Sequence, residues 1–270
     1  MAAVGCESAS RSLCLSHAGG LTRGRLRPIL AYAGPGTRRN YERIVTMVHE
    51  ILYRPSYSLL KISLAKGEVI TAEAGAMVSM SSGIEIETKM KGGVWGALKK
   101  SVLGGESFFV NNFRANEPGE IAFAPPLPGD VAFIELAGQT VYAQSGAFIA
   151  SSPEITVDTK WGGAKTFISK EGLFLLKISG TGKVFVSSYG AIHEVNLAAG
   201  QKYTVDTGHM VCFDETVRYE VKRVGGLKST LFSGEGLVCE LTGPGRIMLQ
   251  TRSEDAFLSW LIPQLPHKSS

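Results

Sequence analysis

Apolar and polar residues alternate with a period of two through most of the chain, and one alternating string occurs three times. The copies are "LAKGEVITAEAGA" from Leu64, "LAGQTVYAQSGA" from Leu136 and "LAAGQKYTVDTGH" from Leu197. Each copy contains two glycines, and both are offset by 71 residues between the first two copies and by 62 between the last two. The six glycines are Gly67, Gly75, Gly138, Gly146, Gly200 and Gly208. We predict strands separated by glycine turns at these positions.

The neighbouring segments recur in the same order, which predicts three structural repeats. "IEIETKMKGG", "ITVDTKWGG" and "YEVKRVGG" each alternate and end at a glycine pair, and a glutamate-led hairpin follows in each copy. This pattern, with almost no helical periodicity, predicts an all-β protein. One repeat alone would leave an apolar face and open sheet edges. We therefore expect the three to pack around a pseudo-threefold axis as one domain.

The predicted organisation is a leader at residues 1–46 and a single β domain at 47–270. Its three repeats span about 47–130, 131–192 and 193–252, followed by a helix at 253–266. Ser253 is positioned to cap that helix, and Glu254 and Asp255 in its first turn complement the helix dipole. The run from Phe257 to Ile262 is too apolar to leave in water and too short to span a bilayer. We expect this helix to dock on the β body.

Charge is unevenly distributed along the 270 residues. The net charge is +4, but residues 1–46 hold seven arginines and two glutamates, which leaves 21 basic and 22 acidic residues in the remainder. The body is thus nearly neutral and lacks the electrostatic footprint of a nucleic-acid-binding protein. Cys6 and Cys14 lie in the leader. Cys212 and Cys239 fit neither a disulfide framework nor a Cys-x-x-Cys metal-binding motif, so we interpret both as buried small residues.

The leader is rich in arginine, serine, alanine and glycine and has no long apolar stretch. This composition is typical of an organelle transit peptide rather than a secretory signal. The alternative is a mistaken gene start, because Met47 stands immediately before the first strand-like pattern. Mitochondrion and plastid both stay open on composition alone.

Six segments within residues 47–266 stand out beside the repeat: "EILYRPSYSLLKISL", "EAGAMVSM", "GGVWGALKKSVLGGESFFVN", "APPLPGDV", "GQTVYAQSGAFIAS" and "WLIPQLP". Together they resemble the altered-inheritance-of-mitochondria family of mitochondrial biogenesis proteins. The resemblance implies three tandem units like the tryptophan RNA-binding attenuator protein, each a β-sandwich of double-stranded β-helix type. It also implies a mitochondrial protein associated with the inner membrane, needed for cristae and respiratory-chain integrity, with no known enzymatic activity.

Residues that could carry catalysis do not form a recognisable motif. His49, His193 and His209 have no histidine or cysteine at ligand spacing, so a metal site is not expected. There is no Gly-x-Ser-x-Gly elbow and no Gly-Lys-Ser/Thr phosphate loop. The recurring carboxylates are interpreted as groups that accept backbone N–H bonds in each repeat: Glu73, Glu106, Glu171 and Glu235. We predict a protein that is not an enzyme and has no catalytic residues, cofactor or metal.

The candidate interaction segment is the longest departure from the repeat, "VWGALKKSVLGG" in the first unit. Its apolar residues fall at helical spacing, with two lysines on the other side: Val94, Trp95, Leu98, Lys99, Lys100, Val102 and Leu103. A short amphipathic helix of this kind suits an anionic membrane surface or a partner protein. The alternative is that it caps one end of the β body and buries Trp95 as core.

The sequence thus favours a non-enzymatic mitochondrial scaffold or interaction protein, peripheral to the inner membrane. Its expected partners are proteins, including inner-membrane organising complexes, and not nucleic acid. A further oligomer stays open. The alternative is a small-ligand or RNA-binding module, which the attenuator-like unit suggests and the neutral body disfavours in its RNA form. A third possibility is an enzyme whose residues converge only in space.

Overall fold

The computed structural model describes residues 47–87, 102–103, 106–107, 110–158, 174–223 and 237–266. These residues form nineteen β-strands and one α-helix, α1 (Glu254–Leu261), which continues as a 3-10 turn at Ile262–Gln264. The strands are β1 (Val48–Leu52), β2 (Leu59–Leu64), β3 (Val69–Glu73), β4 (Met77–Met80), β5 (Ile84–Glu87), β6 (Val102–Leu103), β7 (Glu106–Ser107), β8 (Val110–Ala115), β9 (Gly119–Phe123), β10 (Val131–Gln144), β11 (Phe148–Ser151), β12 (Ile155–Asp158), β13 (Leu175–Ser187), β14 (Ile192–Leu197), β15 (Lys202–Asp206), β16 (Met210–Asp214), β17 (Arg218–Arg223), β18 (Leu237–Thr242) and β19 (Gly245–Gln250). The predictions of an all-β fold and a short C-terminal helix are confirmed.

One antiparallel pairing pattern occurs three times along the chain. We call β2–β5 with β8 and β9 unit one, β10–β13 unit two and β14–β19 unit three. In unit three the strand orders are β14–β19–β16 and β15–β18–β17; in unit one they are β2–β9–β4 and β3–β8–β5. In unit two the long strands β10 and β13 pair with each other along both halves. β13 also pairs with β11 and β12, so the strand orders are β10–β13–β11 and β10–β13–β12.

The units also share an irregularity in the same strand. The register shifts between Met77 and Ser79 in β4, between Phe148 and Ala150 in β11, and between Met210 and Cys212 in β16. Such a bulge leaves one residue without an opposite partner and bends the strand. The bulged residues are Val78, Ile149 and Val211.

The glycines of the repeated string divide into two groups. The first glycine of each copy has a positive φ: 87° at Gly67, 97° at Gly138 and 75° at Gly200. A side chain is strained in that conformation, which explains the glycine at this position. Gly67 and Gly200 lie in turns between strands, but Gly138 lies within β10 at a register shift, so the predicted turn between two strands is wrong there. Of the second glycines, only Gly75 shares it; Gly146 and Gly208 lie in 3-10 turns instead.

Consecutive units are joined through strand edges. β11 of unit two pairs with β3 of unit one, and β16 of unit three pairs with β10 of unit two. Among the described strands, no pair joins unit three back to unit one. The pseudo-threefold axis, the attenuator-protein-like unit and the domain boundaries therefore stay predictions. So does the transit peptide, because residues 1–46 lie outside the described residues.

Each unit encloses an apolar core. Five phenylalanines are almost completely buried: Phe113, Phe123, Phe148, Phe185 and Phe213. The bulged strand of the following unit contributes to the core, because Ile149 joins the cluster of unit one and Val211 that of unit two. Cys212 and Cys239 are buried free thiols, as the sequence predicts. Burial raises the pKa of each to about 12, so both are inert at neutral pH.

Candidate functional site

The predicted Trp95 segment falls mostly outside the described residues. Val94, Trp95, Leu98, Lys99 and Lys100 are not among them. Val102 and Leu103 form the two-residue strand β6, which pairs with β7. The prediction of a helix that continues to Leu103 is therefore wrong. The described residues form an antiparallel strand pair there instead.

The C-terminal helix α1 presents the main exposed apolar surface that the structure describes. Ser253 caps it as predicted, since its hydroxyl accepts a hydrogen bond from the Ala256 N–H at 3.4 Å. Phe257 packs edge-on against Tyr189, with 6.0 Å between ring centroids, and attaches the helix to the β body.

The rest of the helix does not dock as expected. None of its residues is buried, and Trp260 is 64% exposed. We call the exposed apolar residues the α1 surface: Leu258, Trp260, Ile262 and Leu265. The expectation of docking is met at the Phe257 contact, but these four side chains stay exposed. An apolar group of this size in water indicates a surface that another body covers.

A polar cavity of about 270 Å³ lies beside the start of this helix. It is lined by turns of units one and two and by residues at or just after the ends of β9, β13 and β19. The lining includes Glu73, Pro125, Gln144, Ser145, Ser188, Tyr189, Gln250 and Glu254. The Gln250 side chain accepts from the Tyr189 N–H and donates to the Gly208 carbonyl, both at 2.8 Å. This cavity can accommodate a small polar molecule.

The histidines occupy structural positions. His209 Nδ1 lies 2.7 Å from the Gln250 carbonyl oxygen, and because a carbonyl only accepts, that nitrogen carries the proton. His49 packs on Phe133 with ring centroids 4.5 Å apart. Burial, followed by the charge of Lys183, lowers the pKa of His49 and keeps it neutral.

The repeated carboxylates are not brought together as a set. Glu73 lines the cavity, whereas Glu171 and Glu235 lie outside the described residues and only the backbone of Glu106 is described. Within the part of the chain that the structure describes, no three His, Cys, Asp or Glu side chains are grouped to hold a metal ion. The same residues contain no helix long and apolar enough to cross a membrane.

Sequence reasoning missed the buried carboxylate of Asp130. Both of its oxygens accept hydrogen bonds from the Arg54 guanidinium, from Nε and Nη2, at 2.8 Å each. The Ser58 hydroxyl and the Val131 N–H add bonds of 2.9 and 2.8 Å. Burial alone would raise the pKa of Asp130, but these bonds outweigh it and hold the pKa below its usual value.

Asp130 ties the loop between β1 and β2 to the start of unit two. The adjacent backbone forms a parallel bridge in which the Asp130 N–H donates to the Gly190 carbonyl and the Gly190 N–H donates to the Pro128 carbonyl. This junction connects the segment before unit two with the segment before unit three. Its signal in the sequence is the "PPLPGD" turn, which does not reveal the distant partner.

Comparison with known proteins places the chain in a family. A curated relative is an uncharacterized protein of Streptococcus pyogenes serotype M6, 27% identical over 222 residues that cover 79% of this chain and 89% of the relative. A crystal structure of a Streptococcus pyogenes protein superposes with a TM-score of 0.67 and 27% identity, covering 81% of this chain and all of that one. The family model described as "Mitochondrial biogenesis AIM24" matches residues 49–252. Because that match spans most of the sequence, the chain belongs to the mitochondrial biogenesis AIM24 family.

Proposed function

We propose that this protein is a non-catalytic scaffold of mitochondrial biogenesis, bound peripherally to the inner membrane and supporting cristae and the respiratory chain. Family membership supports the link to mitochondrial biogenesis. The observation that carries the membrane role is the α1 surface, a group of exposed apolar side chains next to the Phe257–Tyr189 contact with the β body.

The dimensions of α1 suit the surface of a bilayer and not its interior. A spanning helix needs about 20 residues, whereas α1 has eight and a short 3-10 extension. Trp260 is of the residue type that concentrates at the level of lipid headgroups. Each large apolar side chain that leaves water contributes about 1.5–3 kcal/mol when fully buried, so four side chains hold a protein reversibly.

Charge defines which end of the helix faces the lipid. Glu254 and Asp255 lie in the first turn, and an anionic membrane repels both. The exposed apolar residues begin at Leu258 and continue to Leu265. The C-terminal end of α1 therefore enters the headgroup layer, while the acidic end stays against the body. The Trp95 segment, with its two lysines, is a second candidate contact.

We expect the double variant W260S/I262S to lose roughly tenfold or more of its vesicle binding, because two apolar anchors are removed. Flotation with vesicles of phosphatidylcholine, phosphatidylethanolamine and cardiolipin measures this. Y57S is the matched control, since Tyr57 is an equally exposed aromatic side chain outside the helix. Equal binding by W260S/I262S and the unchanged protein contradicts the membrane role of α1.

Localisation tests the same proposal in cells. The full-length chain with a C-terminal tag is expected in mitochondria, in a membrane fraction that carbonate strips, and a chain beginning at Met47 is expected outside them. Cytosolic location of both forms removes the mitochondrial role. Retention of the full-length protein after carbonate treatment contradicts peripheral attachment.

A second candidate function, small-ligand binding, is favoured by the polar cavity beside α1. If it is correct, a small polar molecule raises the unfolding midpoint of the protein by mass action. The variant Q144L, which makes one cavity wall apolar, is expected to abolish that rise. A thermal-shift screen of metabolite-sized compounds on both proteins measures it, and no rise with any compound favours the scaffold.

A further inference from the structure

The contact between consecutive units is built twice from equivalent strands and in the same register. Between units one and two, Ala72 pairs with Ala150 and Thr71 with Ser151. Between units two and three, Ala143 pairs with Cys212, Tyr142 with Phe213 and Val141 with Asp214. The repeat spacing makes Ala72 equivalent to Ala143, and the shared bulge makes Ala150 equivalent to Cys212. One interface is therefore used twice.

Each interface pairs a strand of a first kind (β3, β10 or β15) with a strand of a second kind (β4, β11 or β16). Two interfaces among three units leave one strand of each kind without a neighbouring unit. The unused strands are β15 in unit three and β4 in unit one. Among the described residues, β15 pairs only with β18 and β4 only with β9, so each has one open edge.

The bulged residue is buried in β11 and β16 but exposed in β4, whose edge has no neighbouring unit. Ile149 is 1% exposed and Val211 is 0% exposed, because each enters the core of the preceding unit. The equivalent Val78 is 57% exposed. An apolar residue in the same strand position is thus covered twice and uncovered once.

Unit three has an open depression where the other two units receive their neighbour. It is about 370 Å³ and is lined by His193, Tyr203, Val205, His209 and Leu249, among others. The strand registers make these residues equivalent to Leu60, Ile70, Ala72, Ala76 and Phe123 of unit one. Those five share a hydrophobic cluster with Ile149 and Ala150 of unit two. The depression therefore corresponds to the place where a bulged strand packs.

We propose that two copies of this chain associate head to tail, with β15 of one copy pairing antiparallel with β4 of the other. The internal interfaces define the register, so Val205 of one chain lies opposite Ser79 of the next and Thr204 opposite Met80. Val78 then packs into the depression beside β15. Neither edge has a partner strand among the described residues of its own chain, so we assign the matching edge to a second copy.

The chemistry of the two edges is compatible with this pairing. β4 carries no charge along Met77–Met80, and the charges of β15, Lys202 and Asp206, lie at its two ends. No like charges oppose each other in the proposed register. Unpaired backbone N–H and C=O groups on such an edge form a template for another strand. Because the two surfaces differ, the contact is heterologous and produces rings or chains. This association does not rest on the membrane role.

Disulfide trapping tests the register. Side chains directly opposite in an antiparallel pair have Cβ atoms about 4.5–5.5 Å apart, close enough for a disulfide after small adjustment. The test uses full-length M80C/T204C in a C6S/C14S background, in which the remaining thiols, Cys212 and Cys239, are buried. Under mild oxidation we expect dimers and larger species on non-reducing gels. Single variants M80C and T204C serve as controls, because neither alone can extend beyond a dimer.

Two outcomes overturn the proposal. A species of monomer size in which both introduced thiols are blocked means that β4 and β15 pair within one chain. Recovery of both thiols in free form means that the edges do not meet.

Blocking each edge separately tests the head-to-tail arrangement. A lysine on an edge strand opposes pairing, so V78K and T204K are each expected to give the 28.9 kDa monomer in light-scattering measurements. Mixed together they should form a one-to-one dimer, because each retains the edge that the other lacks. V48K is the control, since Val48 is 65% exposed on a different strand and its change leaves the assembly mass unaltered. The proposal fails if the unchanged chain is monomeric at all concentrations, or if the mixture stays monomeric while the unchanged chain assembles.

Discussion

Replacing Gly129 with alanine is expected to lower the free energy of unfolding by about 3 kcal/mol or more. Because the total free energy of unfolding of a domain is small, this loss is expected to prevent folding at 37 °C. A Cβ at this position would overlap the Ser188 carbonyl oxygen and lie 2.7 Å from the carbonyl carbon. These are backbone atoms of the junction that holds Gly129 and Gly190 together, so they cannot move without breaking its hydrogen bonds. Soluble yield and urea midpoint measure the effect.

Gly146 provides the control for that substitution. Its φ is not positive, and a Cβ there meets nothing within 4 Å. G146A should therefore unfold at nearly the same urea concentration as the unchanged protein. If G129A and G146A are equally stable, the close approach at the junction is not a constraint on folding.

The second large effect is expected at Asp130. D130N removes the charge that holds Arg54 and leaves an amide N–H₂ facing buried donors, which should cost about 2–4 kcal/mol at pH 7. The side chain of Asp130 is only 4% exposed, so solvent does not replace the lost bonds. Urea denaturation at several pH values measures the cost.

The pH dependence of that effect follows from the sign of the pKa shift. The pKa of Asp130 is lowered in the folded protein relative to about 3.9 in an unfolded chain. Its ionised form therefore stabilises the fold fully above about pH 4, and this contribution is lost as the pH falls through the folded pKa. The stability difference between the unchanged protein and D130N should be constant from pH 5 to 8 and shrink below pH 4.

E240Q is the control for the aspartate. Glu240 forms ion pairs with Lys202 and Lys222 on the surface, where water competes with them. Its replacement should shift the urea midpoint much less than D130N. A shift by E240Q as large as that of D130N, or a pH-independent difference at Asp130, contradicts the role assigned to the buried carboxylate.

Local patterns explain which predictions are confirmed. Alternation along segments such as "LLKISL" and "IHEVNL" specifies strands, and the glycine offsets correctly place turns at Gly67 and Gly200. The turn expected at Gly138 is wrong, because β10 continues through that residue. The cap at Ser253 and the proline at position 263 bracket the helix, which begins at Glu254 and ends at Leu261. The helix expected through Leu103 fails because a helical spacing of apolar residues over ten positions is a weak signal beside glycine turns.

Contacts between distant segments explain what was missed. Arg54 and Asp130 are 76 positions apart, and nothing in either neighbourhood indicates the other. The apolar residues of α1 were expected to be covered because they are apolar, but hydrophobicity alone does not show whether a partner surface lies beside them, and Trp260 is 64% exposed. Val78 looks like Ile149 and Val211 in the sequence, although only the latter two have a neighbouring unit to cover them.

The sequence by itself determined the strands, the threefold recurrence of their order and the helix that ends the chain, because period-two alternation, turn residues and caps act over a few neighbouring positions. Only the tertiary structure decided which edges are covered, which carboxylate is buried and paired with an arginine, and which apolar surface stays in water. Those properties depend on which units lie next to one another. Equivalent strands have the same local pattern in all three units, and among the described strands it is the position of the unit that leaves β4 and β15 with open edges.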